Sequence, residues 1–433
     1  MIEDIIEINS ELLKKFVNLC NITKDYTFKE MKILCDKLGV NFTKINKSFE
    51  KMQETSAEEV ELSIAQIQAV SELMEEYNND EIMFHYLPKN LIVSIASSYD
   101  YFINKFLSNI IFDKKYFGII SKDISVGKIW EYSSKEELLK DCVEDTISDL
   151  MRKTHKEQIE WIQKNFNIDL INSFSEWKTV FLFFEVRNII VHNDGIVNHI
   201  FIHTLTKNGI STEKYNLGDK IFLDIDFIVK SIRTLIDFSV YLFSLLMQKL
   251  YKNYEEIDSQ INDIVYKLLC DKNYIQVISI VDNILKSNQK HTSEYIFIFT
   301  INKCIALKNR HNNGYIKILE NLDWSNCEAH YRIAKEVLMG NNKAASDMME
   351  KMDKNNMVYN YLEWPLFKDF IKTEEFKNKF NEIYGVNFED KLEKISEEKA
   401  AFLADKKILE SKCVELLEEV AVSSVDNDVN TGS

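Results

Sequence analysis

The stretch Glu185-Val186-Arg187-Asn188-Ile189-Ile190-Val191-His192-Asn193-Asp194-Gly195 gathers chemically able groups into an otherwise apolar segment. Histidine exchanges a proton near neutral pH, so His192 suits general acid or base work. Arginine keeps its charge and can hold a phosphate through two parallel N–H donors as negative charge develops, which is the part open to Arg187. Asn188 can orient an imidazole or donate to the same anion, and Glu185 can hold Arg187 or His192 in place. On a helix, Glu185, Asn188 and His192 stand at i, i+3 and i+7 and form one polar stripe. Trp177, Val180, Phe181 and Phe184 of the same helix belong to a core, and polar groups set among them need partners or serve a purpose. Gly195 marks the helix end and puts both Arg187 and His192 in the last turns. Five residues on, a side chain projects about 140° away on an ideal helix. One helix therefore cannot aim Arg187 and His192 at the same atom unless the groove is wide or a second copy contributes. The structural alternative is an Arg187 that caps or salt-bridges the helix end and a His192 that is a satisfied interior histidine.

Helices must position these groups. Pro88 and Pro365 are the only prolines in 433 residues and glycine is scarce, so helices can run uninterrupted. The first 79 residues read as three amphipathic helices, with Thr27/Glu30 and Ser56/Glu59 fitting capping boxes. The third, over 57–77, carries Val60, Ile64, Ile67 and Leu73 at helical spacing. Pro88 opens a helix over 91–112, apolar on most faces, with Ser97, Asp100 and Asn104 as a polar stripe. Asp100 is either a helix-pairing or solvated acid, or a member of the site. Further helices are expected from Ser134, capped with Glu137, then over 154–166 and 174–192. Two short strands follow, 199–205 and 220–223, around Gly209 and Gly218. Asp224 or Asp226 then caps a long apolar helix ending near Tyr251. From 254 to 384 the helices shorten and pair (257–270, 274–285, 295–307, 329–338, 343–352), as in tetratricopeptide-like arrays, though no clean repeat aligns. A charged helix over 391–420 and a disordered Ser/Asp/Asn tail complete the chain.

The Arg187-Asn188 pair, three apolar residues and His192 resemble the signature of the HEPN superfamily: arginine followed by a polar residue, with histidine four to six residues further on. The Asn193-Asp194-Gly195 turn, the small hairpin, the long closing helix and the buried helix holding Asp100 are also similar to HEPN proteins of the toxin and abortive-infection type. The resemblance covers roughly 57–252. It implies a metal-independent endoribonuclease that works as a homodimer, with Arg and His sets facing each other across a composite cleft. Arg187, His192 and Asn188 would then be catalytic, with Glu185, Asp100 and Asn193 supporting. His192 would deprotonate the ribose 2′-OH or protonate the leaving 5′-oxygen, leaving a 2′,3′-cyclic phosphate. The alternative in the same frame is a non-catalytic binding module that dimerises or binds nucleotides, with the C-terminal hairpins recruiting a protein partner.

The formal charge of −16 disfavours broad lysine–phosphate attachment to nucleic acid, so an RNA substrate requires a local basic groove. Lys114-Lys115 and Arg152-Lys153 with Lys156 are the patches available, each interspersed with acids. The seven cysteines are scattered without a CxxC knuckle and read as reduced thiols of a cytoplasmic protein. The amino terminus, Met1-Ile2-Glu3-Asp4, is acidic where a signal peptide is basic. The apolar run 227–247 contains Lys230, Arg233 and Asp237, which a membrane span would have to bury. His192, Asp194, His199 and His203 form no HExxH pattern and lack a fourth ligand, and there is no phosphate-cradling glycine loop or GxSxG elbow, so no metal and no cofactor are expected. The fold expected is all-α: an N-terminal helical segment (1–56), a HEPN-like bundle with one small β-hairpin (57–252), antiparallel helical hairpins (253–390) and a charged helix with its tail (391–433).

Overall fold

The structure is a computed structural model that describes residues 2–54, 64–113, 117–120, 124–287, 289–325, 327–351, 361, 364–390, 392, 393 and 397. It is all-α, and the chain divides into two compact units, Met1–Ala306 and Leu307–Ser433.

In the first unit, α1 (Ile2–Glu54) and α2 (Ile64–Phe112) are long continuous helices. They pair antiparallel: Asn109 Nδ2 donates to Asn9 Oδ1 at 3.0 Å, Phe16 stacks on Phe102, and Phe42 meets Tyr77. The separate helices expected over the first 79 residues are therefore fewer and longer. Thr27, an expected cap, lies buried inside α1, because the stripe Ile6, Leu13, Phe16, Cys20 and Met31 continues through it. The Ser56–Glu59 box falls outside the described residues. α2 likewise runs through Pro88 instead of beginning after it. A proline inside a helix costs roughly 3 kcal/mol. Leu91, Ile92 and Ile95 are buried just beyond it, and burying each such side chain contributes about 1.5–3 kcal/mol, so packing outweighs the break.

Around α2 stand shorter helices whose starts are set locally. After α3 (Val126–Ile129), α4 (Lys135–Met151) begins at Ser134, whose hydroxyl accepts from Glu137 N at 3.1 Å, while Glu137 accepts from Ser133 N at 2.9 Å. α5 (His155–Phe166) begins with a full capping box between Thr154 and Glu157. α6 (Trp177–Asn193) packs on α2 and α8. The expected strand over 199–205 is instead helix α7 (His199–Lys207), capped by Asn198 Oδ1, which accepts from Phe201 N at 2.8 Å. Phe201 and Leu205 are buried four residues apart, the spacing of a helix face. Strand pairing among the described residues is one antiparallel bridge, Ile196 with Lys220, so the hairpin is not formed. α8 (Ile225–Tyr251) is capped by Asp224, whose Oδ1 accepts from Phe227 N at 2.6 Å. Its Asp237 is buried and accepts from Gln276 and Ser279 of α10 (Tyr274–Lys286), and burial pushes its carboxyl up to about 7. α9 (Tyr254–Cys270) packs against α8 and α10, and its Asp258 accepts from Thr292 N at 3.0 Å and meets His291 Nδ1 at 2.7 Å, which pins the start of α11 (Ser293–Asn309).

The second unit contains α12 (Gly314–Asn321), α13 (Ala329–Met339), α14 (Asn342–Met348) and α15 (Glu374–Tyr384), with α13 and α14 packed as neighbours. Its core is aromatic: Phe376 meets Tyr361, Phe370, Phe380 and Phe388. Nearly all of the expected charged helix and tail lie outside the described residues. Among those described, no helix is long and apolar enough to cross a membrane.

Candidate active site at the end of helix α6

α6 buries Trp177, Val180, Phe181, Phe183, Phe184, Val186 and Ile189, and its remaining side chains are half-buried or exposed. Arg187, Asn188 and Glu185 are half-buried, and His192 is exposed in the last turn. The helix ends where Asp194 takes a left-handed conformation (φ 50°) and Gly195 N–H reaches back to Ile189 O at 2.9 Å. Gly195 has φ 76°, and a side chain there would come within 3.2 Å of Ile221 Cγ2, so glycine is needed at this turn.

Asp100 and Arg187 meet across the α2–α6 interface, with Oδ2 3.8 Å from Nη2. Arg187 Nη1 donates to Asn188 Oδ1 at 3.2 Å, while its Nε is buried without a partner among the described residues. The Asp100–Arg187 distance is an ion pair and too long for a hydrogen bond. Burial consequently dominates at Asp100: its carboxyl is pushed up to about 6, against the pull of Arg187. Burial also raises Glu185. The structure thus brings Asp100, Arg187 and Asn188 together. Among the described residues neither Glu185 nor His192 is hydrogen-bonded or ion-paired to them; His192 stands free at the surface, so the satisfied interior histidine is not what the fold builds. Asn193 closes the helix end, its Nδ2 donating to Ile196 O at 2.6 Å.

Sequence reasoning missed the clamp below this turn. Lys89 of α2 donates to Asp194 O at 2.9 Å and to Asp194 Oδ1 at 3.0 Å, and Lys220 stands 3.3 Å from Oδ2. These bonds, Lys89 first, hold the Asp194 carboxyl below the usual carboxylate range. The only local signal was an acidic residue before Gly195; the partners lie far away in sequence. A cleft of about 800 Å³ opens beside the clamp, lined by Lys89, Asp194 and Lys220 with Tyr86 and Phe222. Also unforeseen is His155, buried at the start of α5 and stacked on Phe184 of α6 at 3.6 Å between ring centroids.

His199 and His203 are exposed on α7, and among the described residues no group of three or more His, Cys, Asp or Glu could hold a metal. Of the basic patches, Lys114-Lys115 lies outside the described residues, Arg152 pairs with Asp149 at 3.7 Å, and Lys156 reaches Asn208 at 2.8 Å. The arrangement is able to hold an anion at Arg187 and to exchange a proton at His192, the two separated along one helix end. No protein family, no curated protein and no solved structure matches this chain.

Proposed function

We propose that this chain is a metal-independent endoribonuclease of the HEPN type, acting in the cytoplasm as a toxin or antiviral-defence effector. The observation that carries the reading is the end of α6, where a half-buried Arg187, ion-paired with Asp100 and bonded to Asn188, and an exposed His192 lie within the last two turns. In the reaction, the ribose 2′-oxygen attacks the adjacent phosphorus and the bond to the 5′-oxygen breaks. His192 takes the 2′-OH proton or gives one to the leaving oxygen, and Arg187 with Asn188 stabilises the charge on the phosphoryl oxygens. The products are a 2′,3′-cyclic phosphate and a 5′-OH, and DNA is refractory because it lacks the nucleophile. A second copy facing this surface supplies the complementary Arg or His that one helix cannot aim, which makes the working unit a homodimer with a composite site. The helical hairpins near the C-terminus offer a surface for a regulatory protein partner. Purified protein in excess EDTA is expected to cut bulk tRNA or mRNA, and Arg187→Ala and His192→Ala are each expected to leave it uncut while retaining the helical circular-dichroism spectrum. Equal cutting by wild type and His192→Ala would refute the assignment of His192.

A second reading, a non-catalytic dimerising module, is favoured by the net charge of −16 and by the engagement of Arg187 with Asp100. It predicts no cleavage of any RNA and no cellular toxicity from the wild type.

A further inference from the structure

The cleft of about 800 Å³ beside the Asp194 clamp has a buried apolar floor and exposed apolar walls. Met31 of α1, Pro88 of α2 and Ile221 line it and are themselves buried. One wall is α2, where Ile82 and Tyr86 stand one turn apart. The other is the start of α8 with the segment before it, which brings Phe222 and Ile225. These four side chains stay between 52 and 78 % exposed, Phe222 the most. A single exposed apolar residue calls for no explanation, whereas several lining one cleft with a polar rim mark an interaction surface.

The charges of the lining say what fits. Its carboxylates are Glu81, Asp194, Asp224 and Asp226, against Lys89 and Lys220, with His85 as the remaining ionisable group. Both lysines are engaged by Asp194, at 3.0 and 3.3 Å, and Asp224 is engaged by the first turn of α8. Glu81 and Asp226 are exposed and have no hydrogen bond or ion pair among the described residues. They stand one on each wall, so the apolar walls carry an unanswered carboxylate on either side. The formal charge of −16 adds a field of the same sign, which repels nucleic acid and anionic lipid and draws in a cation. A helix with an apolar stripe at i, i+4 and i+7 and basic residues on its flanks matches both features: the stripe meets the apolar walls and the flanks meet the two carboxylates.

We infer that this cleft docks a cationic amphipathic helix of a partner protein, its apolar stripe between Tyr86 and Phe222 and its lysines or arginines against Glu81 and Asp226. The site is separate from the partner surface proposed for the C-terminal hairpins and stands whether or not the chain cleaves RNA. Fluorescence anisotropy tests it, with the full chain and two labelled synthetic helices of about five turns each. Both carry the same leucine stripe; one has lysine and the other glutamate on the polar face. The lysine helix is expected to bind and the glutamate helix to give no change. Phe222→Ser is expected to weaken the lysine helix at least about tenfold. Loss of two exposed ion pairs in Glu81→Gln/Asp226→Asn is expected to weaken it at least about threefold. Glu144→Gln/Glu320→Gln removes the same charge at exposed positions of α4 and α12 and is expected to leave binding as in wild type. Should Phe222→Ser fail to fold, Ile82→Ser, at an exposed helix position, must still weaken the lysine helix. The inference is overturned if the lysine helix gives no signal, if the glutamate helix binds as well, or if the two charge-removing pairs weaken binding equally. It is also overturned if Phe222→Ser turns a wild-type dimer into a monomer by light scattering, which would give the cleft to a second copy.

Discussion

Asp100 carries two demands that conflict. Its carboxylate is the ion-pair partner of Arg187, yet burial favours its neutral form and lifts its pKa to about 6. Since the folded pKa lies above the ordinary carboxylate value, the folded chain binds a proton more tightly than the unfolded one. The group therefore detracts from stability as pH rises between about 4 and 6, fully above that window and not at all below it. Asp100→Asn is expected to match the melting temperature of wild type near pH 4 and to exceed it at pH 7, while cutting RNA about tenfold more slowly because Arg187 loses its tether. Thermal melts at both pH values and a cleavage time course check this. Unchanged cleavage would make Asp100 a helix-pairing acid only. The Arg187–Asn188–His192 segment was legible because its parts are neighbours on one helix. The Asp100–Arg187 pair joins residues 87 positions apart, and nothing local announces such a contact. Asp100 drew notice only as a polar residue on an apolar helix, and Lys89 and Lys220, which hold the Asp194 turn from α2 and the 220–223 segment, drew none.

Among the elements, α6 depends on how α5 is seated against it. His155 stacks on Phe184, both its ring nitrogens are buried without a partner among the described residues, and burial holds its pKa down at about 3. A histidine kept neutral in the fold stabilises fully above its unfolded pKa of about 6.5, and that contribution is lost as pH falls from there toward 3. An unsatisfied buried polar group costs about 1–3 kcal/mol. His155→Phe keeps the stack and removes both burdens, so its melting temperature is expected to exceed that of wild type, by more at pH 5 than at pH 7.5. A difference that does not grow on acidification would contradict the burial argument. Local capping chemistry explains which helices could be read from sequence: Thr154, Ser134 and Asp224 each satisfy the first turn of their own helix. Where tertiary packing decides, local signals misled. Thr27 is passed over by the buried stripe of α1, and the 199–205 segment, rich in β-formers, becomes a helix because Phe201 and Leu205 fill the core four residues apart.

At the scale of the whole molecule, the first unit carries two chemically different regions: the end of α6 with Arg187 and an exposed His192, and the apolar cleft with Glu81 and Asp226 on its walls. With a formal charge of −16, the proposed nuclease would depend on local contacts at the Arg187 end of α6 and not on broad attachment to nucleic acid. The second unit has an aromatic core and paired helices of its own, and the proposed regulatory partner would dock there. The decisive measurement is mass analysis of the ends left on RNA after incubation with the wild-type protein in excess EDTA. A 2′,3′-cyclic phosphate facing a 5′-OH, absent when His192→Ala is used, is the predicted result. Products bearing 3′-OH and 5′-phosphate ends, or RNA left intact by a wild-type protein that is also harmless in cells, would contradict it.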